Sequence, residues 1–534
     1  MVNDLASATY AALDKAWRST CRVLFGQEVG GLADFEEWLE ENAGTAPRLE
    51  KSALSGKGVE LAVADYAPGQ RFASFDELDF GRKFAPLSIN EVKDMDSIVD
   101  AVRERVFYAG NIILGSSSHV EESSNIIDSH FIYRSNVVSD SKYIACSKES
   151  RFCEYCFGHY VGGKSSHCIR VGGGMLTRCF ECYHCENNSD CYFGANLQNC
   201  REAMFCFGAN SKSYAIGNLA LGKEKYLAIK KKLLSELSEE LRKKHRTFSL
   251  LKLIEKAGGK GKSRLKLLPG AEPAFSKAPI EESFSATTKL LLGKSLRGMD
   301  SFSGYLQRHV PKNIFLVSPL SGKKVVVAGY RFNIFEPYNI RDRTLDYAEM
   351  LEIGRTSVEE GALHGAKLDM GWLAGALAPV AYAALDQDFG NISNSADSAV
   401  LINCQDCYMG SAYVDAKKCA FCHWPRESEH VFGSSAIWLS SFCMKCFYSK
   451  KLSRCLEADN CDSCSDLYFS HNCENVRDSM FCFNVKNLKC AIGNAVLPTD
   501  QYKRVKGALV AQMADELEKK KNLKWDIFTI GARH

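Results

Sequence analysis

A chain of 534 residues is too long for one hydrophobic core and calls for two to four domains. Its 46% hydrophobic and 25% charged residues are ordinary for a folded protein, and a net charge of +3 excludes a global drive toward nucleic acid or anionic membrane. Twenty-three cysteines, with no basic-then-apolar leader at the N-terminus, predict a reducing compartment, the cytoplasm, and free or metal-bound thiols in place of disulfides.

In chain order, the pattern predicts a helix over 5–25 and a second over 34–41, a mixed stretch holding the turn Ser52-Ala-Leu-Ser-Gly-Lys57, and a helix over 89–105. From residue 111 to 218, short β-prone pieces alternate with Ser, Asn, Asp and Gly, which predicts brief strands and tight turns. An amphipathic helix over 223–243 closes this region, with Tyr226, Ile229, Leu233, Leu237 and Leu241 in one apolar stripe.

The same order then recurs. Residues 201–218 and 477–494 match at nine of eighteen positions without a gap, at an offset of 276. The helix stripe repeats as Tyr502, Val505, Leu509, Met513 and Leu517. The Ser-Gly-Lys turn repeats at Ser318–Lys323, and Phe35, Trp38 and Leu39 repeat as Phe302, Tyr305 and Leu306. This predicts an α+β fold built by tandem duplication, in two similar lobes. The expected domains are a first helical and mixed region at 1–110, a β region with closing helix at 111–245, a basic linker at 246–275, a second helical and mixed region at 276–389, and a second β region with closing helix at 390–534. Residues 370–385 are apolar but about 16 long and contain Pro379, too short for a span of roughly 20 residues, so a buried helix and no membrane span are expected.

Cysteines inside the β regions repeat 15 apart, as in Cys191 and Cys206, Cys407 and Cys422, and Cys446 and Cys461. A coil of 15 residues would stack each pair, giving a short cysteine-lined β-solenoid in each lobe, flanked and capped by helices. Phe205-Cys-Phe-Gly208, Tyr214-Ala-Ile-Gly-Asn218 and Lys223-Glu-Lys-Tyr226 resemble the end of an uncharacterised family of cysteine-rich repeat proteins of bacteria, archaea and phages. Phe481-Cys-Phe483, Ala491-Ile-Gly-Asn494 and Tyr502 carry the same resemblance in the second lobe. In that family a Cys-Phe-Gly-Cys coil leads to a Tyr-Cys-Ile-Phe-Asn segment and a Tyr-containing helix; here Ala209 replaces the second cysteine of the coil. The resemblance implies a fold and no activity.

For chemistry, Cys404, Cys407, Cys419 and Cys422 form one C-x2-C pair set, and Cys443, Cys446, Cys461 and Cys464 form another. Four thiolates at such spacing suit structural zinc. The competing reading is a core of packed, inward thiols. Cys179, Cys182, Cys185 and Cys191 superficially resemble an iron–sulfur run without its usual proline. Gly158 to Ser165 formally fits a phosphate loop, but the residues after it do not read as a helix. The stretch Arg242–Lys266 holds ten Lys or Arg against one Glu and is the candidate nucleic-acid contact. The expected role is a structural or protein-interaction scaffold with an unknown protein partner and a zinc site. A nucleic-acid-binding module using the basic stretch, and a redox or iron–sulfur enzyme, are the alternatives.

Overall fold

The computed structural model describes residues 7–43, 48–63, 65–87, 93–268, 274–329 and 337–532. Helices and strands both contribute heavily, as an α+β fold requires. Among the described residues, no helix is long and apolar enough to cross a membrane.

The β regions wind. Strand Lys142–Ala145 pairs in parallel with His130–Tyr133 on one side and Glu154–Phe157 on the other, each 12 residues away. In the second region Gln405–Tyr408 pairs with Lys417–Ala420 at the same spacing. The coil is therefore 12 residues long, not 15. Every third residue is left-handed, as at Asn125, Asp128, Phe131, Arg134, Val137 and Asp140. The residue after each bend is buried: Ile126, Ser129, Ile132, Ser135, Val138 and Ser141. Twelve residues with a bend every three make a four-sided coil with one inward side chain per side. The expectation of 15 failed because 15 is 12 plus 3. It keeps the inward phase but moves to the next side, so Cys407 pairs with Cys419, and Cys191 pairs with Ala203. Left-handed bends at residues such as Val137 and Phe131 are costly, of order 1–3 kcal/mol each. Continuous parallel ladders and a filled interior offset that cost.

Helix placement follows the stripe. Lys223–Lys244 and Thr499–Lys520 are both 22 residues long, and each ends on a left-handed residue, His245 or Lys521. Tyr226 of the first meets the ring of Tyr214 in the last coil. The N-terminal helix spans Ala8–Phe25, starting from a Ser7 cap, and the next spans Glu36–Ala43. Of the helix expected over 89–105, residues 89–92 lie outside the described residues; the helix starts later, spanning Met95–Val102 from an Asp94 cap, and continues as a 3-10 turn to Arg105. The apolar stretch at 370 is helical only over Met370–Leu377: Ala378 still has helical backbone, but Pro379 has no amide hydrogen to continue the ladder.

Beside the two coil interiors, two larger cores lie outside the coils, and they cross the boundaries suggested by the sequence. Helix Ala8–Phe25 packs on the first coil stack, and Ala278–Leu292 packs on the second. The mixed stretches exchange. Val59, Tyr66, Phe72 and Tyr108 belong to the core of the second stack, while Val325, Met350, Ile353 and Leu377 belong to that of the first. The Ala109 amide donates to Nε2 of His471 at 2.9 Å, and Asn484 donates to the Phe107 carbonyl at 2.8 Å. Reciprocally, Asn196 donates to the Ala384 carbonyl at 2.9 Å. Gly208, at φ +63°, lets the backbone of Gly354 approach so closely that a Cβ on either would meet carbonyl oxygen within 1.9 Å. The basic stretch is half core: Leu250, Leu251, Leu253, Ile254 and Ala257 are buried on helix Leu250–Gly258.

Candidate functional site

The interior of the coils is built from one rule. An inward Ser donates to the carbonyl two residues back and accepts the amide 12 residues on. Ser135 donates to Tyr133 at 2.8 Å and accepts from Ser147 at 3.0 Å. Cysteine obeys the same rule. Cys464 donates to the Asp462 carbonyl at 3.2 Å and accepts from the Val476 amide at 3.4 Å. Most cysteines also face the carbonyl nine residues on, as Cys461 faces Ser470 at 3.6 Å and Cys446 faces Cys455 at 3.5 Å. A thiol is small enough for a narrow coil and still satisfies a bend that an alkyl group would leave unpaired. All 23 cysteines are free and buried.

This rule decides the zinc sets. In a coil with three residues per side, C-x-x-C arises wherever two successive sides carry cysteine. Cys443 and Cys446 occupy two sides of one coil, and Cys461 and Cys464 occupy the other two sides of the next. Cys407 and Cys419 share a side, flanked by Cys404 and Cys422 on the sides before and after. Each sulfur is engaged by backbone carbonyls, for instance Cys443 by Ser441 at 3.3 Å, Cys404 by Ile402 at 3.2 Å and Cys422 by Ala420 at 3.2 Å. Among the described residues no three of His, Cys, Asp and Glu are arranged to hold a metal ion. Structural zinc needs four sulfurs about 2.3 Å from one centre.

The phosphate-loop match has no helix to serve it, since strand Tyr160–Gly163 runs on to strand Ser166–Thr177. In the basic stretch, Lys243, Lys244, Arg246 and Lys252 pair with Glu239, Glu240, Glu41 and Glu255. Much of its charge is thereby neutralised locally.

The sequence reading missed a buried cation and a buried glutamate at matching positions in each lobe. Strands before Gly172 correspond at an offset of 275, as Glu154–Phe157 does to Glu429–Phe432, and strands after Gly174 correspond at 276, as Arg201–Met204 does to Arg477–Met480. One residue is lost at Gly172–Gly174, where the ladder shifts register. Arg170 therefore matches Lys445, Glu181 matches Glu457, and Cys168 matches Cys443. Arg170, fully buried, bonds Glu181 and the Trp38 carbonyl. Glu181 also accepts from Tyr183 and from the Leu250 amide at 3.1 Å. Glu457 likewise accepts from Tyr305 at 2.9 Å and from the Ile527 amide at 3.0 Å. Lys445 differs. Its ammonium has no hydrogen-bond partner among the described residues and lies 5.3 Å from the Tyr305 ring. Burial lowers the Lys445 pKa and pushes Glu457 up to about 6. Beside them, burial works to raise the pKa of Asp526, but His309 and Arg308 outweigh it and hold the carboxyl low. The only legible signal was the internal sequence repeat, and a constant offset of 276 hides the pairing.

On the outside, a column of rings climbs the first stack. His119, Phe131, Tyr143, Tyr155 and His167 stand 12 apart and stack nearly parallel, with centroids 4.5, 5.0, 4.8 and 4.7 Å apart. His119 is exposed and the other four are partly so. The second stack keeps His430 over Phe442 at 4.3 Å in the same column. Above both, the column continues in matching ion pairs, Arg178 with Asp190 and Arg454 with Asp466, each at 2.7 Å. No family model, curated protein or solved structure matches this chain.

Proposed function

We propose that this chain is a structural or protein-interaction scaffold, made of two short β-solenoids that arose by tandem duplication and related to the cysteine-rich repeat proteins it resembles. One observation carries the reading: the ring column from His119 to His167, a partly exposed surface of fixed rise on a rigid stack. Interior side chains are closed off from solvent, so the outward columns are what the fold presents to a protein partner. Aromatic side chains supply much contact area at low entropic cost, which suits a protein-binding ridge.

A photo-reactive amino acid at Tyr143, compared with one at Leu439, tests this in cells. Adducts at position 143 that disappear with Phe131→Ala and Tyr155→Ala support the ridge. No adduct at 143, or equal adducts at both positions, removes it.

A further inference from the structure

We propose that the interior of the first stack binds a soft monovalent d10 cation, Cu(I), between stacked cysteines in the column Cys156, Cys168, Cys179 and Cys191. This goes beyond the scaffold reading and does not depend on the surface ridge.

These four cysteines occupy one side of four successive coils without interruption. Cys156 pairs in register with Cys168, and the neighbouring pair Ile169 and Phe180 sets Cys179 on Cys168. Each is fully buried. The ladder sets one inward sulfur above the next along this column, and Cys182 stands on the side of the coil next to that of Cys179. The matching column of the second stack is Val431, Cys443, Cys455 and Leu467, so the uninterrupted run belongs to the first stack alone.

Geometry selects the ion. The described residues offer no group of three or more ligands around a centre, which excludes the tetrahedron of zinc. Two sulfurs one strand spacing apart, about 4.8 Å, leave room between them for a linear two-coordinate ion. Thiolates favour Cu(I) among the soft metals. Binding replaces S–H protons one for one: three Cu(I) ions between four sulfurs displace three protons, the fourth stays on an end sulfur, and no electron is transferred because copper enters as Cu(I). The column therefore stays neutral.

The full-length reduced protein, native and refolded with Cu(I), would be titrated anaerobically with Cu(I) held by a colorimetric chelator. Copper should be withdrawn from the chelator, with X-ray absorption reporting two sulfur neighbours. Zinc should not be taken up under the same conditions. Cys179→Ser with Cys191→Ser should lose this copper. Cys206→Ser should keep it, because Cys206 is equally buried but stands between Gly194 and Asn218 in its own column. Circular dichroism would show that both variants remain folded. If the double variant does not fold, Cys156→Ser with Cys168→Ser replaces it, with the same loss expected. No uptake by either native or refolded protein, uptake unchanged in the column variants, or equal loss in Cys206→Ser would overturn the proposal.

Discussion

The two lobes solve one problem with different cations. In both, a glutamate on the coil surface takes the amide of the segment that follows the closing helix, Leu250 in one lobe and Ile527 in the other. In the first lobe Arg170 answers Glu181 with a planar fork that also reaches the Trp38 carbonyl. In the second, Lys445 is a point charge that reaches no acceptor among the described residues and leans on the rings of Tyr305 and Phe447. Arginine distributes a buried charge over several acceptors, whereas a buried lysine must find one or lose basicity. The hydrogen bonds of Glu457 then come from neutral groups, Tyr305 and a backbone amide.

Removing each cation tests that difference most strongly. Arg170→Ala leaves Glu181 charged and uncompensated and should cost about 3–5 kcal/mol in urea unfolding. Lys445→Met removes a cation whose burial is itself unfavourable and should cost clearly less. Equal losses would mean that the two pairs are energetically alike and that the Lys445 geometry carries no meaning.

The closing helices sharpen the comparison from the other side. Leu233 and Leu509 are both 1% exposed and sit 276 apart on helices of equal length. Leu233→Ala and Leu509→Ala should each cost about 2–5 kcal/mol. A loss confined to one of them would show that only one helix is needed to close its stack.

Acid should separate the lobes. His159 lies inside the first stack, its Nδ1 2.8 Å from the Ser150 hydroxyl, while the matching position in the second stack is Ser434. Burial lowers the His159 pKa from 6.5 to about 4. Between those values the unfolded chain binds a proton that the native chain refuses, so stability falls as pH drops through this window. The loss approaches about 3 kcal/mol at its lower end. In His159→Asn the slope of unfolding free energy against pH should flatten between pH 6.5 and 4. An unchanged slope would place the acid sensitivity elsewhere.

Much of this was legible in the sequence, for identifiable reasons. The closing helices were readable because an apolar stripe at spacings of three and four has no rival interpretation. The second is helical over Thr499–Lys520, as its repeat suggested. The coil length was not readable from cysteines alone, since any multiple of three preserves the inward phase, and the C-x-x-C pairs that suggested zinc are that same phase. The one-residue loss at Gly172–Gly174 then displaced the alignment upstream, setting Arg170 opposite Cys446 instead of Lys445. The exchange of mixed stretches between the stacks left no periodic trace, because it is fixed by contacts such as Gly208 on Gly354 that join distant parts of the chain.

The smallest expected effect bears on why the interior contains so much cysteine. Ser147 and Cys422 correspond at the offset of 275, and each donates to the carbonyl two residues back. Ser147 donates to the Ala145 carbonyl at 2.9 Å and accepts the His159 amide at 2.9 Å. Cys422 donates to the Ala420 carbonyl at 3.2 Å and faces Val431 at 3.3 Å. If the coil asks only for a small side chain that can satisfy a bend, Ser147→Cys and Cys422→Ser should each change stability by no more than about 1 kcal/mol, a typical net value for one hydrogen bond. Ser147→Ala removes the acceptor and leaves the His159 amide unpaired in the interior, so it should cost more, about 1–3 kcal/mol. Urea unfolding of the three variants ranks them. If Cys422→Ser costs as much as Ser147→Ala, the thiol contributes packing that a hydroxyl cannot replace. The cysteines would then be chosen for their volume and polarizability more than for their hydrogen bonds.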